Sequence, residues 1–211
     1  NGRRRNKMFR IRFKMPQKKD PLIKILPVVR GRYLQNISLA RHTWFGVGGN
    51  AEIMYIPEDA GDLAHFLRNK PHNVPVCLIG GSNLLVRDGG VPGVVIKLDN
   101  ASFQKVTVGN GTITCGAGFR NIDLKKHLLK HELGGLEFLC SIPGVIGGSV
   151  KTNAGCFGRE VADVMQSAEI MNGEGKIQTV TAADLGLSYR SSLFPDDWII
   201  LSITFKTEPS T

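Results

Sequence analysis

The sequence predicts an α+β protein of two lobes that meet across a cleft, and three observations carry that reading. Short β-branched and aromatic runs alternate with a helical-period stripe in the first half, and hairpin signals dominate the second. Two segments, GGSNLLVRDGG (80–90) and IPGVIGGSVKTNAGCFG (142–158), set glycine and asparagine among apolar residues. The expected boundaries are a basic N-terminal tail over 1–30, a first lobe over 31–99 and a second over 100–211. A chain of 211 residues suffices for one sizeable domain or two small lobes sharing a core.

The elements follow in order. HTWFGVGGNAEIMYI reads as a glycine turn and then a strand rich in β-branched and aromatic residues. In PEDAGDLAHFLRNK a proline and two acids precede Leu63, Phe66 and Leu67, which share one helical face. VPVCLIGGSNLLVRDGGVPGVVIKL gives two short strands around a glycine loop. Asn110-Gly111 between alternating runs marks a hairpin. NIDLKKHLLKHEL predicts a helix with the pairs Leu124/Leu128 and Leu129/Leu133. AEIMNGEGKIQTV predicts another hairpin, Thr181 and Asp184 a capping box, and WIILSITFK a buried closing strand.

Charge excludes less than its total of +9 suggests. Residues 1–20 hold nine basic side chains against Asp20 alone, so the other 191 residues carry a net +1. The basicity belongs to a solvated tail, and no nucleic-acid partner is expected for the body. No run approaches the ~18 apolar residues of a membrane span, and no signal-peptide hydrophobic region is present. A cytoplasmic location without a membrane partner is expected. Cys77, Cys115, Cys140 and Cys156 are too scattered for a CxxC zinc site, and buried free thiols are expected. Asn1 in first place marks a processed or trimmed chain, or one whose first residues are not recorded.

Several motifs fail on their context. GVGGNA (46–51) precedes a strand where a dinucleotide fingerprint needs a helix, and GAGFRN (116–121) lacks the third glycine. His127 and His131 have zinc-binding spacing without the glutamate base between them, so an exposed helix face and no metal are expected. The two glycine segments survive. Successive backbone N–H groups in such bends form concave anion sites, and two bends without a P-loop lysine suit an extended dinucleotide lying between the lobes.

HTWFGVGGNAE, GGSNLLVRDGG, GLEFLCSIPGVIGGSVKTNAGCFGRE and YRSS occur in the order and spacing of the UDP-N-acetylenolpyruvoylglucosamine reductases, and the chain resembles that family from about residue 36 to about 206. The resemblance implies a two-lobed FAD-binding domain of the p-cresol methylhydroxylase and vanillyl-alcohol oxidase (PCMH/VAO) type. It implies that the FAD pyrophosphate rests on Gly81, Ser82 and Asn83, with Gly80 and Leu84 in the same bend and Val47 and Gly48 in an earlier one. The ring system is implied near Ile142, Pro143, Gly144, Gly147, Gly148, Ser149, Asn153, Ala154 and Gly155. Binding is expected to be non-covalent, because no histidine or cysteine stands in the early glycine loops.

The implied reaction is hydride transfer from NADPH through FAD to the enolpyruvyl group of UDP-N-acetylglucosamine enolpyruvate, giving UDP-N-acetylmuramate. Arg190 in YRSS matches the family's catalytic arginine, a planar cation suited to developing carboxylate charge, and Tyr189 helps place the substrate. The family continues into a C-terminal substrate domain with a proton-donor serine and an assisting glutamate. That domain is expected to be missing here, so neither residue is assigned, and a natural enzyme seen incompletely is favoured over a degenerate remnant. Another FAD-linked oxidoreductase of the same fold is the alternative, followed by a flavin-free module acting through its basic tail. A monomer is expected.

Overall fold

A computed structural model describes residues 21–80 and 82–210; residues 1–20 of the tail expected over 1–30, Gly81 and Thr211 lie outside the described residues. Residues 21–30, assigned to the tail on composition, pack against the fold: Leu26 is buried, and the N–H groups of Arg30 and Gly31 donate to Asp62.

The first sheet begins with β1 (Arg32–Ser38) and β2 (Asn50–Ile56), an antiparallel pair. Helix α1 (Ala60–Asn69) starts at Asp59, whose carboxylate accepts from the Asp62 N–H, and it buries Leu63, Phe66 and Leu67 as their spacing predicts. It ends at Lys70, held extended before Pro71. The chain then forms β3 (Val76–Leu78) and β4 (Val91–Ile96), and the sheet order is β1-β2-β4-β3 with β4 parallel to both neighbours. Buried on both faces, β2 and the second half of β4 form its centre.

The second sheet is antiparallel throughout. Strands β5 (Val106–Gly109) and β6 (Thr112–Gly116) join at Asn110-Gly111, where Gly111 has φ +69°, as the hairpin signal predicts. Helix α2 (Leu124–Lys130) buries Leu124 and Leu128, but Leu129 is exposed, so the second predicted apolar pair does not form a core contact. Short elements follow: β7 (Leu133–Gly134), α3 (Glu137–Cys140), α4 (Ile146–Lys151), the paired β8 (Gly155–Cys156) and β9 (Arg159–Glu160), and α5 (Val161–Val164). Strands β10 (Met165–Met171) and β11 (Ile177–Thr181) make the second predicted hairpin, and β12 (Ile199–Lys206) is the buried closing strand. The order is β11-β10-β12-β6-β5, and β13 (Glu208–Pro209) pairs with β7.

One expected cap is replaced. Both the N–H and the hydroxyl of Thr181 donate to Asp184, 2.7 Å each, and a turn follows instead of a helix. The reciprocal capping box forms at α5, between Glu160 and Asp163. Of the four cysteines only Cys115 is buried, and burial pushes its thiol up to about 12; the others are half-buried. One apolar core joins the sheets: Ile53, Tyr55 and Ile96 of the first belong to the same cluster as Ile113, Ile170 and Phe205 of the second. Arg68 of α1 adds a polar tie, donating to Gly175 O in the β10–β11 turn at 2.9 Å.

Candidate functional site

Three glycine bends touch in succession, the first meeting the second at Val86 and the second meeting the third at Ser82. In the first, Val47 is exposed and Gly48 has φ +120°; a Cβ at Gly48 would lie 2.6 Å from Val86 Cβ, so only glycine lets this bend touch the end of the next. The second bend runs from Gly80 through Ser82, Asn83 and Leu84 to Val86. Gly80 and Asn83 are exposed, Ser82 is half-buried, and Leu84 packs on the small core beneath the first sheet. Gly81, assigned to the same bend, lies outside the described residues.

The third bend spans Ile142 to Gly148, and it meets the second. Gly144 has φ +111°, and a Cβ there would run into Ser82 Oγ and come within 2.9 Å of Ser82 Cβ. A Cβ on Gly80 would in turn lie 3.5 Å from Val145 Cγ2. Ser82 and Gly144 are 62 residues apart in sequence, and they touch. Gly147 is bare for a different reason: a Cβ would sit 2.9 Å from Ala117 Cβ, where α4 lies against the chain leaving β6. Gly148 is open, with nothing closer to an added Cβ than Val145 Cγ2 at 4.0 Å. Pro143 is exposed, and Ile142 is half-buried against the main core.

From Ser149 of α4 onward the predicted residues are tied into the surrounding fold. Ser149 is buried and its hydroxyl accepts from Asn121 Nδ2 at 2.8 Å. Asn153 is buried in the left-handed region at φ +43°; its Nδ2 donates to Ser188 O and its Oδ1 accepts from the Ala162 N–H, both at 2.9 Å. Asn153 therefore ties the segment carrying Tyr189 and Arg190 to the start of α5. Ala154 is buried, its N–H bonded to Ser149 O, and Gly155 is half-buried at the head of β8.

Tyr189 and Arg190 are the two central residues of a tight turn closed by reciprocal 2.9 Å bonds between Ser188 and Ser191. Both are exposed, and Arg190, at φ +53°, donates from Nη2 to Gly155 O at 3.2 Å. They line a cleft of about 540 Å³ together with Gly155, Phe157, Arg159 and Glu160. Ser82 and Gly144 are not in the lining of that cleft. The predicted residues thus divide into touching glycine bends and an arginine cleft, linked through Ser149, Asn153 and Gly155. Arg159 and Glu160 are cleft residues that the sequence pattern did not single out; Arg159 also reaches Glu208 Oε1 at 3.3 Å. His42 sits apart, half-buried with Nδ1 3.4 Å from Lys97 Nζ; burial and that lysine hold its imidazole below the ordinary histidine value.

A mixed sheet and an antiparallel sheet, joined by one core and carrying converging bare-backbone bends, define a nucleotide-cofactor domain. The chain belongs to the FAD binding domain family, which matches residues 51–181. Among curated relatives it is 48% identical over 190 residues to the UDP-N-acetylenolpyruvoylglucosamine reductase of Rhodospirillum rubrum, covering 90% of this chain and 59% of the relative. It is 46% identical over 186 residues to the reductase of the same name from Paramagnetospirillum magneticum, covering 88% and 60%. The crystal structure of UDP-N-acetylenolpyruvylglucosamine reductase (MurB) from Thermus caldophilus superposes with a TM-score of 0.73 at 30% identity, over 87% of this chain and 64% of that one. Glucooligosaccharide oxidase from Acremonium strictum shares the fold, with a TM-score of 0.61 at 15% identity. The chain spans about 60% of the length of the curated relatives it matches. Among the described residues, no helix is long and apolar enough to cross a membrane.

The residues fit FAD. Gly144 lies against Ser82 with no Cβ between them, and main chain at Gly80 and Gly148 is open beside Val145 Cγ2.

Proposed function

We infer that this chain is the FAD-binding part of an NADPH-dependent reductase acting on UDP-N-acetylglucosamine enolpyruvate, with UDP-N-acetylmuramate, a cell-wall precursor, as product. The observation that carries the reading is the meeting of Ser82 with Gly144 in a chain 48% identical to a reductase of that name, which also carries an arginine cleft. Bound FAD supplies the relay of a hydride from NADPH to the enolpyruvyl double bond. The lobes over 31–99 and 100–211 would each give one wall of its seat, and Gly80, Ser82 and Asn83 would hold its pyrophosphate. Pro143, Gly144, Gly148 and Ser149 would border the ring, which would be held without a covalent bond. Arg190, already aimed across the cleft by its bond to Gly155 O, holds the substrate carboxylate and offsets charge as it develops there. Tyr189 beside it orients the substrate. The protein acts as a cytoplasmic monomer.

The test is direct. Purified protein is yellow, anaerobic NADPH bleaches it, and acid releases the flavin into the supernatant. Protein that takes up no FAD when saturated with it overturns the reading, and flavin that stays with the acid pellet overturns its non-covalent part. On a chain of the relatives' full length, the enolpyruvyl UDP-sugar reoxidises the reduced flavin. Reoxidation only by another acceptor would favour a different oxidoreductase of the same fold.

A further inference from the structure

We propose that Asn121 is a positioning residue for the cofactor seat, fixing the third glycine bend against the second. It is fully buried at the end of the chain that leaves β6, just before α2. That stretch already runs beside the bend: Ile146 N–H donates to Phe119 O and Gly147 N–H to Ala117 O, both at 2.9 Å. Asn121 supplies the remaining ties. Its own N–H donates to Gly144 O at 3.1 Å, while its Nδ2 donates to Ile142 O at 3.0 Å and to Ser149 Oγ at 2.8 Å. One residue therefore grips the bend at its first residue, at its glycine apex and on the first turn of α4.

The orientation of the amide follows from these partners. Ile142 O only accepts, so the nitrogen must face it, and both of its hydrogens are then used. Oδ1 is left buried without a hydrogen-bond partner, which is costly, and a side chain serving packing alone would carry no such oxygen. What the amide accomplishes is positional. Gly144 meets Ser82 with no room for a Cβ, so a small shift of the third bend opens or closes the junction on which the FAD reading rests. That reading is a premise here, and the test separates the two.

The 211-residue chain is compared as wild type, Asn121→Leu, Asn121→Ala and Leu128→Ala, the last a core change in α2 that touches none of these bonds. Circular dichroism at a temperature well below unfolding establishes that each is folded. Hydrogen exchange of the flavin-free proteins then reads the bend itself. Amides of residues 142–149 exchange at least roughly tenfold faster in both Asn121 variants, while those of β10 and β12 are unchanged. FAD titration of the same samples gives a dissociation constant raised about tenfold or more for the Asn121 variants and within about twofold for Leu128→Ala. Unchanged exchange at 142–149 overturns the proposal, as does equal weakening by Leu128→Ala. Ser149→Ala, a milder change on the same bond, shifts exchange in the same direction by less, and serves if the Asn121 variants do not fold. Wild type that binds no FAD would sink the functional reading, while the exchange result would still judge Asn121.

Discussion

In the proposed function Gly144 and Arg190 depend on their residue type for opposite reasons, one on having no side chain and the other on having a fixed planar cation. Gly144→Ala meets both a left-handed backbone and Ser82 at once. The expected outcome is FAD binding weakened by about tenfold or more, together with a stability loss of about 1–3 kcal/mol read in denaturant unfolding. Ser82→Gly in that background recovers part of the loss, because the clash is relieved and the φ strain is not. Arg190→Ala keeps the flavin, since its only described bond is to Gly155 O from an exposed position. On a chain of the relatives' full length its kcat falls by about 10²–10³, the cost of one missing donor to developing charge. Arg190→Lys recovers little, because a point charge cannot present the guanidinium fork. Normal turnover in Arg190→Ala would remove the arginine from the proposed chemistry.

At the scale of the element, α1 is held by one carboxylate. Asp62 is buried and accepts from Arg30 N–H at 2.7 Å, Gly31 N–H at 2.8 Å, Tyr55 OH at 2.7 Å and Glu58 N–H at 3.0 Å. Burial alone would raise its pKa; the four donors outweigh burial and hold it below the usual carboxylate range. Its contribution is therefore complete above the unfolded value near ~3.9 and fades as pH falls through the lower folded value. Asp62→Asn turns an NH₂ toward one or more of those donors, and about 2–3 kcal/mol of stability is lost at neutral pH. Measured from pH 7 downward, the gap between wild type and variant narrows below about pH 4. A gap that stays constant in acid would refute the role given to the charge.

Elements with strong local signals were legible in the sequence: α1 from its apolar stripe, both hairpins from their turn residues, and the two glycine bends from their composition. What escaped was set at a distance. Strand β1 is a half-exposed edge strand with no clean alternation, recognisable once β2 supplies its partner. The pairs β7–β13 and β8–β9 are two residues long, below any periodicity. Asn121 looked like an ordinary helix start, because its partners lie 21 and 28 residues away. Asn153 was read as a ligand residue on its place in a glycine segment, and the structure adds that its amide is spent on Ser188 O and the Ala162 N–H.

For the whole molecule, a ligand that bridges two bends stabilises everything the bends are attached to. At a hundredfold excess over its dissociation constant, FAD adds about 2.7 kcal/mol, or about 5–10 °C in Tm for a chain of this size. The melt stays a single transition with and without flavin, because residues of both sheets belong to one apolar cluster. Two transitions in calorimetry would mean that the lobes are separately stable and that the shared core contributes little.

That common core, with Arg68 pinned to Gly175 O, also bears on how the flavin arrives. In the proposed seat, walls joined by one apolar core do not swing apart, so the seat is cut to shape before its occupant comes. Uptake is then a single encounter whose observed rate rises in proportion to flavin concentration, with no plateau from a preceding closure.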